Sequence, residues 1–188
     1  MLSRTPHIAS TRLVQLRQHI TTQSRASVRT MASQATRLPL NTGATIPGVG
    51  FGTWQDADAQ EEAVLAALKA GYTHIDTARI YGTEPAVARA IKRSGIAREK
   101  LFITTKLWNN SHDPDDVERA IDASLKDLDT TYLDLYLMHW PSPFKRGDAL
   151  MPKEGGKIQT GDADYVDVWI ELSLSWARDQ LMQKGCEC

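Results

Sequence analysis

GYTHIDTARIYGTEPAVARAI, residues 71–91, decides the fold. Tyr72–Asp76 reads as a short strand, and Thr83 with Pro85 opens a helix carried by Val87, Ala88 and Ile91. Proline suits a first helical turn and glycine the position just past a last one, so that helix is expected to stop at Gly95. A strand joined to a helix by a short loop is one βα unit, and the same unit recurs on both sides. Downstream, Leu101–Lys106 is a strand, β-branched at Ile103, Thr104 and Thr105. Asp113–Pro114 then opens a helix with Val117, Ala120, Ile121, Leu125 and Leu128 at helical spacing. Leu133–His139 is a fourth strand, apolar almost throughout, as expected when both faces are covered.

Upstream, Gly48–Gly52 reads as a buried strand, and Asp58 with Glu61 as a capping box before Ala63, Val64, Leu65, Ala67 and Leu68, closed by Gly71. A hairpin precedes it, Leu38–Leu40 and Thr45–Ile46, turning at Asn41–Thr42–Gly43. Four βα units with short loops predict a parallel α/β sheet, either doubly wound or a barrel. The first unit has no G-x-G-x-x-G turn between strand and helix. Gly48–Val49–Gly50–Phe51–Gly52 falls inside a strand instead, which removes the main support for a dinucleotide-binding doubly wound fold. Beyond His139 the texture changes: residues 141–164 form a long loop rich in Pro, Gly and charge, a rim or lid rather than core. Residues 164–188 fit one amphipathic helix.

With 188 residues, 41% hydrophobic and 24% charged, the chain fits one globular domain with a core of its own. A formal net charge of −1 gives no reason to expect nucleic acid or acidic lipid as partner. The total hides an asymmetry. Arg4, Arg12, Arg17, Arg25, Arg29 and Arg37 fall in the first 55 residues, where no acid precedes Asp56. An Arg-, Ser- and Thr-rich, acid-free head (residues 1–36) has the composition of a mitochondrial transit peptide. The alternatives are a disordered tail or sequence upstream of a start at Met31, which would give a cytoplasmic product. No apolar run is long enough for a secretory signal or a membrane span. Cys186 and Cys188 form a C-x-C pair with no His nearby, so neither a disulfide framework nor a metal site is expected.

Four side chains stand out by position: Asp76 ends the second strand, Tyr81 follows five residues later, Lys106 ends the third strand and His139 the fourth. In a parallel barrel the carboxyl ends of the strands converge on one face, where barrel enzymes place their chemistry. Singly, each has a bland reading as turn former, packing residue, solvated amine or core histidine. Together they suit carbonyl reduction, which needs a hydride donor and a proton for the developing alkoxide. A tyrosine, with an ordinary pKa of about 10, becomes a usable acid beside an ammonium. A carboxylate would hold that ammonium, and an imidazole would hydrogen-bond the carbonyl oxygen.

These segments also resemble the aldo-keto reductases. GYTHIDTARIYGTEPAVARAI resembles the family's first signature, with Asp76, Thr77, Ala78, Tyr81, Gly82 and Glu84 in place. LFITTKLWNNSH, residues 101–112, resembles the segment carrying the lysine, here Lys106, followed by Trp108. LDLYLMHWP, residues 133–141, resembles the histidine strand, and LNTGATIPGVGFGTW, residues 40–54, the N-terminal hairpin and first strand. The likeness covers about Leu38 to Trp169.

It implies a (β/α)8 barrel, NADPH as hydride donor, and aldehydes, ketones or sugars as substrates, or the corresponding alcohols in reverse. By carry-over, Tyr81 is the general acid, Lys106 its modifier, Asp76 the partner of Lys106, and His139 the substrate-orienting group. Thr53, Trp54 and Asp76 would meet the cofactor; Trp54, Trp108 and His139 would meet the substrate.

Such a barrel takes about 250 residues, and strands five to eight find no counterpart here. The expectation is therefore an incomplete barrel over residues 37–169, followed by a divergent tail, 170–188, with open sheet edges available for self-association. A catalytically silent fragment or a binding subunit stands as the alternative to an active enzyme.

Overall fold

The computed structural model describes residues 36–177, with side chains described through Leu174. The transit-peptide or disordered reading of the head and the reading of Cys186 and Cys188 lie outside the described residues.

The N-terminal hairpin pairs β1 (Arg37–Pro39) with β2 (Thr45–Pro47), Leu38 opposite Ile46. Gly43 takes φ +83°, a left-handed turn position that glycine adopts without strain. The central element is a four-stranded sheet of β3 (Phe51–Gly52), β4 (His74–Asp76), β5 (Phe102–Leu107) and β6 (Leu135–Met138) in chain order, every neighbouring pair parallel. Between the strands run α1 (Gln60–Lys69), α2 (Glu84–Ser94) and α3 (Pro114–Asp127), and α4 (Tyr165–Ala177) follows the sheet. This is the expected parallel α/β arrangement. The sheet does not close among the described residues, which is consistent with an incomplete barrel.

Strand periodicity separates two faces. Ile75 on β4, Ile103 and Leu107 on β5, and Tyr136 on β6 join Val64, Leu65 and Leu68 of α1, Val87 and Ala90 of α2, Val117 and Ile121 of α3, and Val168 and Leu172 of α4 in one buried core. Each fully buried Val, Leu or Ile contributes about 1.5–3 kcal/mol, so the helix-facing side holds the sheet against its helices. The alternate residues, His74 and Asp76 on β4, Thr104 and Lys106 on β5, and Leu137 on β6, belong to the opposite face.

Four expectations change. The capping box at Asp58 and Glu61 does not form: α1 starts at Gln60, its cap residue is Ala59, and no side chain caps it. Glu61 instead pairs with Arg89 and Arg93 of α2, at 2.6 Å and 2.7 Å, because a tertiary guanidinium outcompetes a local backbone N–H. The fourth strand is not covered throughout on both faces: Leu137, at the edge of the described sheet, is 38% exposed. The long rim segment carries structure of its own, a hairpin of β7 (Lys153–Glu154) and β8 (Lys157–Ile158) and a bridge between Phe144 and Thr160. The first sheet strand is shorter and less covered than the expected buried Gly48–Gly52: only Phe51–Gly52 pairs, Phe51 is half-buried and Val49 is 67% exposed, because the ladder to β4 engages just those two residues. The remaining elements match to within a residue or two. Gly95 closes α2 at φ +69°, and Asp113 caps α3 by accepting from the Asp115 N–H. α4 is one continuous helix across residue 169, where the divergent tail was placed.

Candidate active site

β4, β5 and β6 end side by side, with Asp76 aligned to Thr104 and Lys106 to Leu137 in the ladder. Parallel strands all present their carboxyl ends at one edge, so residues 30 and more positions apart in sequence meet there. The Lys106 ammonium donates to Asp76 Oδ1 at 2.6 Å and to the Thr77 carbonyl at 2.9 Å. It also lies 5.1 Å from the centre of the Tyr81 ring. Tyr81 is brought back over the strand ends by a single 3₁₀ turn, Arg79–Tyr81, closed by Gly82 at φ +67°. His139 stands edge-on to Tyr81, with ring centres 5.6 Å apart, and Trp54 packs on the other flank of Tyr81 at 4.9 Å. Carboxylate, ammonium, phenol and imidazole therefore share one mouth of the sheet.

In front of Tyr81 lies a hollow of about 460 Å³ lined by Trp54, Ile80, Tyr81, Trp108, His139, Trp140 and Met151. That volume is in the range of small-molecule sites. Burial, and next the charge of Lys106, lower the His139 pKa from its ordinary value, with Asp76 opposing. The imidazole is thus neutral at neutral pH, with one nitrogen able to donate to a substrate oxygen. Trp108 is buried, 3% exposed, and fixed by its indole N–H to the Leu150 carbonyl at 2.6 Å. Trp54 is 60% exposed and forms the outer wall.

The model of the aldo/keto reductase family matches residues 48–172. The chain belongs to the aldo/keto reductase family. Among curated relatives it is 50% identical over 146 residues to "Aldo-keto reductase family 1 member A1" of Xenopus tropicalis, covering 74% of this chain and 45% of that protein. It is 46% identical over 146 residues to "D/L-glyceraldehyde reductase" of Hypocrea jecorina, covering 73% of this chain and 44% of that one. Among solved structures, the aldose reductase of Schistosoma japonicum superposes with a TM-score of 0.75 at 36% identity, covering 78% of this chain and 50% of that chain. The chain spans about half the length of the curated relatives it matches. The family match begins at residue 48 and gives the transit-peptide reading of the head no support. No helix among the described residues is long and apolar enough to cross a membrane.

Within this family frame, Asp76, Tyr81, Lys106 and His139 stand together, and Trp54 and Trp108 wall the hollow. Thr53 sits beside them but turns inward: it is fully buried, its N–H donates to the Asp76 carbonyl at 3.0 Å, and its hydroxyl meets that of Thr83. Sequence reasoning missed Ile80, Trp140 and Met151. Trp140 could have been found as the residue after the strand-end histidine. Met151 had no local signal. It reaches the hollow because Asn109, Asn110 and Trp108 bind the carbonyls of Ser142, Gly147 and Leu150 and lay the rim segment over the strand ends.

Proposed function

We propose that the chain carries the catalytic half of an NADPH-dependent carbonyl reductase that converts aldehydes, ketones or sugars to alcohols, with a cytoplasmic location. The observation that carries this reading is the Lys106 ammonium, held by Asp76 at 2.6 Å, beneath a Tyr81 ring that His139 meets edge-on. The hollow suits a nicotinamide ring and a small carbonyl. Its walls are aromatic, and Asp76 behind Tyr81 keeps a partly exposed carboxylate. Asp76 and Trp54 would hold the nicotinamide end, with Thr53 fixing the chain beneath them. When bound, the cofactor supplies the hydride.

The chain's own residues do the rest. A carbonyl oxygen lodged between Tyr81 and His139 accepts a hydrogen bond from the neutral imidazole, which orients it and disperses charge as the alkoxide forms. The Tyr81 phenol delivers the proton to that oxygen. The Lys106 ammonium stabilises the negative charge left on the phenol, and Asp76 keeps the ammonium in place. Trp54, Trp108, Trp140 and Met151 exclude water and receive the apolar part of the substrate.

The test is NADPH oxidation by the full chain with 4-nitrobenzaldehyde. Turnover that falls by two or more orders of magnitude in Tyr81→Phe supports the proposal. A folded chain that neither quenches NADPH fluorescence nor turns over would favour the silent-fragment or binding-subunit alternative.

A further inference from the structure

Thr83 occupies the cap position of α2, where a threonine ordinarily accepts a hydrogen bond from the helix N-terminus. Here its side chain makes no cap bond. Its hydroxyl instead lies 3.0 Å from that of Thr53 and 3.1 Å from that of Thr77. All three residues are buried, at 1%, 0% and 0% exposure respectively. A buried hydroxyl needs a partner, and in this cluster the hydroxyls serve one another.

Each member of the triad adjoins a residue of the site. Thr53 precedes Trp54. Thr77 follows Asp76 and offers its carbonyl to the Lys106 ammonium at 2.9 Å. Thr83 lies two residues beyond Tyr81, across Gly82. The next residue, Glu84, repeats the attachment on the helix side: it is buried and accepts from the Thr105 hydroxyl at 2.7 Å, next to Lys106. The short segment after Tyr81 is thus tied to the ends of β3, β4 and β5 at once. Two residues of chain leave Tyr81 little freedom to move independently of Thr83.

We propose that Thr83 is a positioning residue: through the buried hydroxyl triad it sets where the Tyr81 phenol stands relative to Lys106 and to the carbonyl. This rests on the carbonyl-reductase reading, in which that relation is what the reaction uses. Thr83 itself touches neither substrate nor cofactor.

The experiment compares Thr83→Val, which keeps the shape and removes the hydroxyl, with Thr83→Ser, which keeps the hydroxyl, in the full chain. One readout is kcat and KM for 4-nitrobenzaldehyde at saturating NADPH. The other is independent of turnover: the ¹³Cζ resonance of Tyr81 in tyrosine-labelled protein, assigned with Tyr81→Phe and calibrated against Lys106→Met. Thr83→Val is expected to lower kcat by about 10- to 100-fold with KM little changed, the scale of an ångström of misplacement at a reacting centre. It should also move the Tyr81 resonance toward its position in Lys106→Met, and Thr83→Ser should restore both.

A folded Thr83→Val with unchanged kcat, or with an unmoved Tyr81 resonance, overturns the proposal even if stability falls. If Thr83→Val does not fold, Thr53→Val removes one partner only and must show the same signature at smaller size; its absence is equally fatal. A chain without turnover defeats the carbonyl-reductase reading, while the Tyr81 resonance still decides the role of Thr83.

Discussion

His112 offers a direct test of the packing behind the site. It ends the loop after β5, is 1% exposed, and neither ring nitrogen has a hydrogen-bond partner among the described residues. Burial lowers its pKa from 6.5 to about 4. The unfolded chain therefore binds a proton on this residue at a pH where the folded chain does not, and stability falls as the solution is acidified below 6.5. Each pH unit across that window costs about 1.4 kcal/mol. At pH 6 the loss from His112 is about 0.8 kcal/mol, and at pH 4.5, where the folded imidazole begins to charge, about 2.5 kcal/mol.

His112→Leu removes both the titration and two unpartnered polar atoms. It should stabilise the protein at pH 7.5 by about 1–3 kcal/mol, the penalty of an unsatisfied buried group. That advantage should then grow by about 2.5 kcal/mol at pH 4.5. His74 and His139, also lowered chiefly by burial, act in the same direction, while burial raises Glu84 and makes it act oppositely. All three are present in both proteins and cancel in the difference. Urea unfolding followed by tryptophan fluorescence at pH 7.5, 6.0 and 4.5 measures the gap. A gap that stays constant across the three conditions refutes the reasoning.

Two further outcomes are expected. A Cβ on Gly50 would stand 2.8 Å from His74 Nδ1, in a ring held by Thr104 Oγ1 at 3.0 Å and packed edge-on against Phe102. Gly50→Ala should therefore cost about 1–3 kcal/mol, a loss that a double-mutant cycle with His74→Ala recovers in part. The edge strands β3 and β6, with exposed Leu137 beside them, should promote self-association. Sedimentation velocity should show concentration-dependent dimers that Leu137→Lys shifts toward monomer, and concentration-independent monomers would reject this.

Sequence alone determined the parallel arrangement and the four central chemical groups. Strand and helix periods are local, and Asp76, Lys106 and His139 sit at or beside strand ends, so parallel topology by itself brings them to one edge. Gly95 and the Asp113–Pro114 pair were readable for the same reason, since a left-handed stop or a first-turn cap involves only neighbours in the chain. For two side chains the sequence pointed to a local partner, and the tertiary structure supplied distant ones instead. Glu61 left its capping box for Arg89 and Arg93, and Thr83 left its helix N-terminus for Thr53 and Thr77. Met151 joined the hollow only because three side chains of the β5 loop bind the rim backbone. Those choices depend on burial and on which groups arrive within hydrogen-bonding distance once the chain is folded. Neither quantity exists in a single segment of sequence.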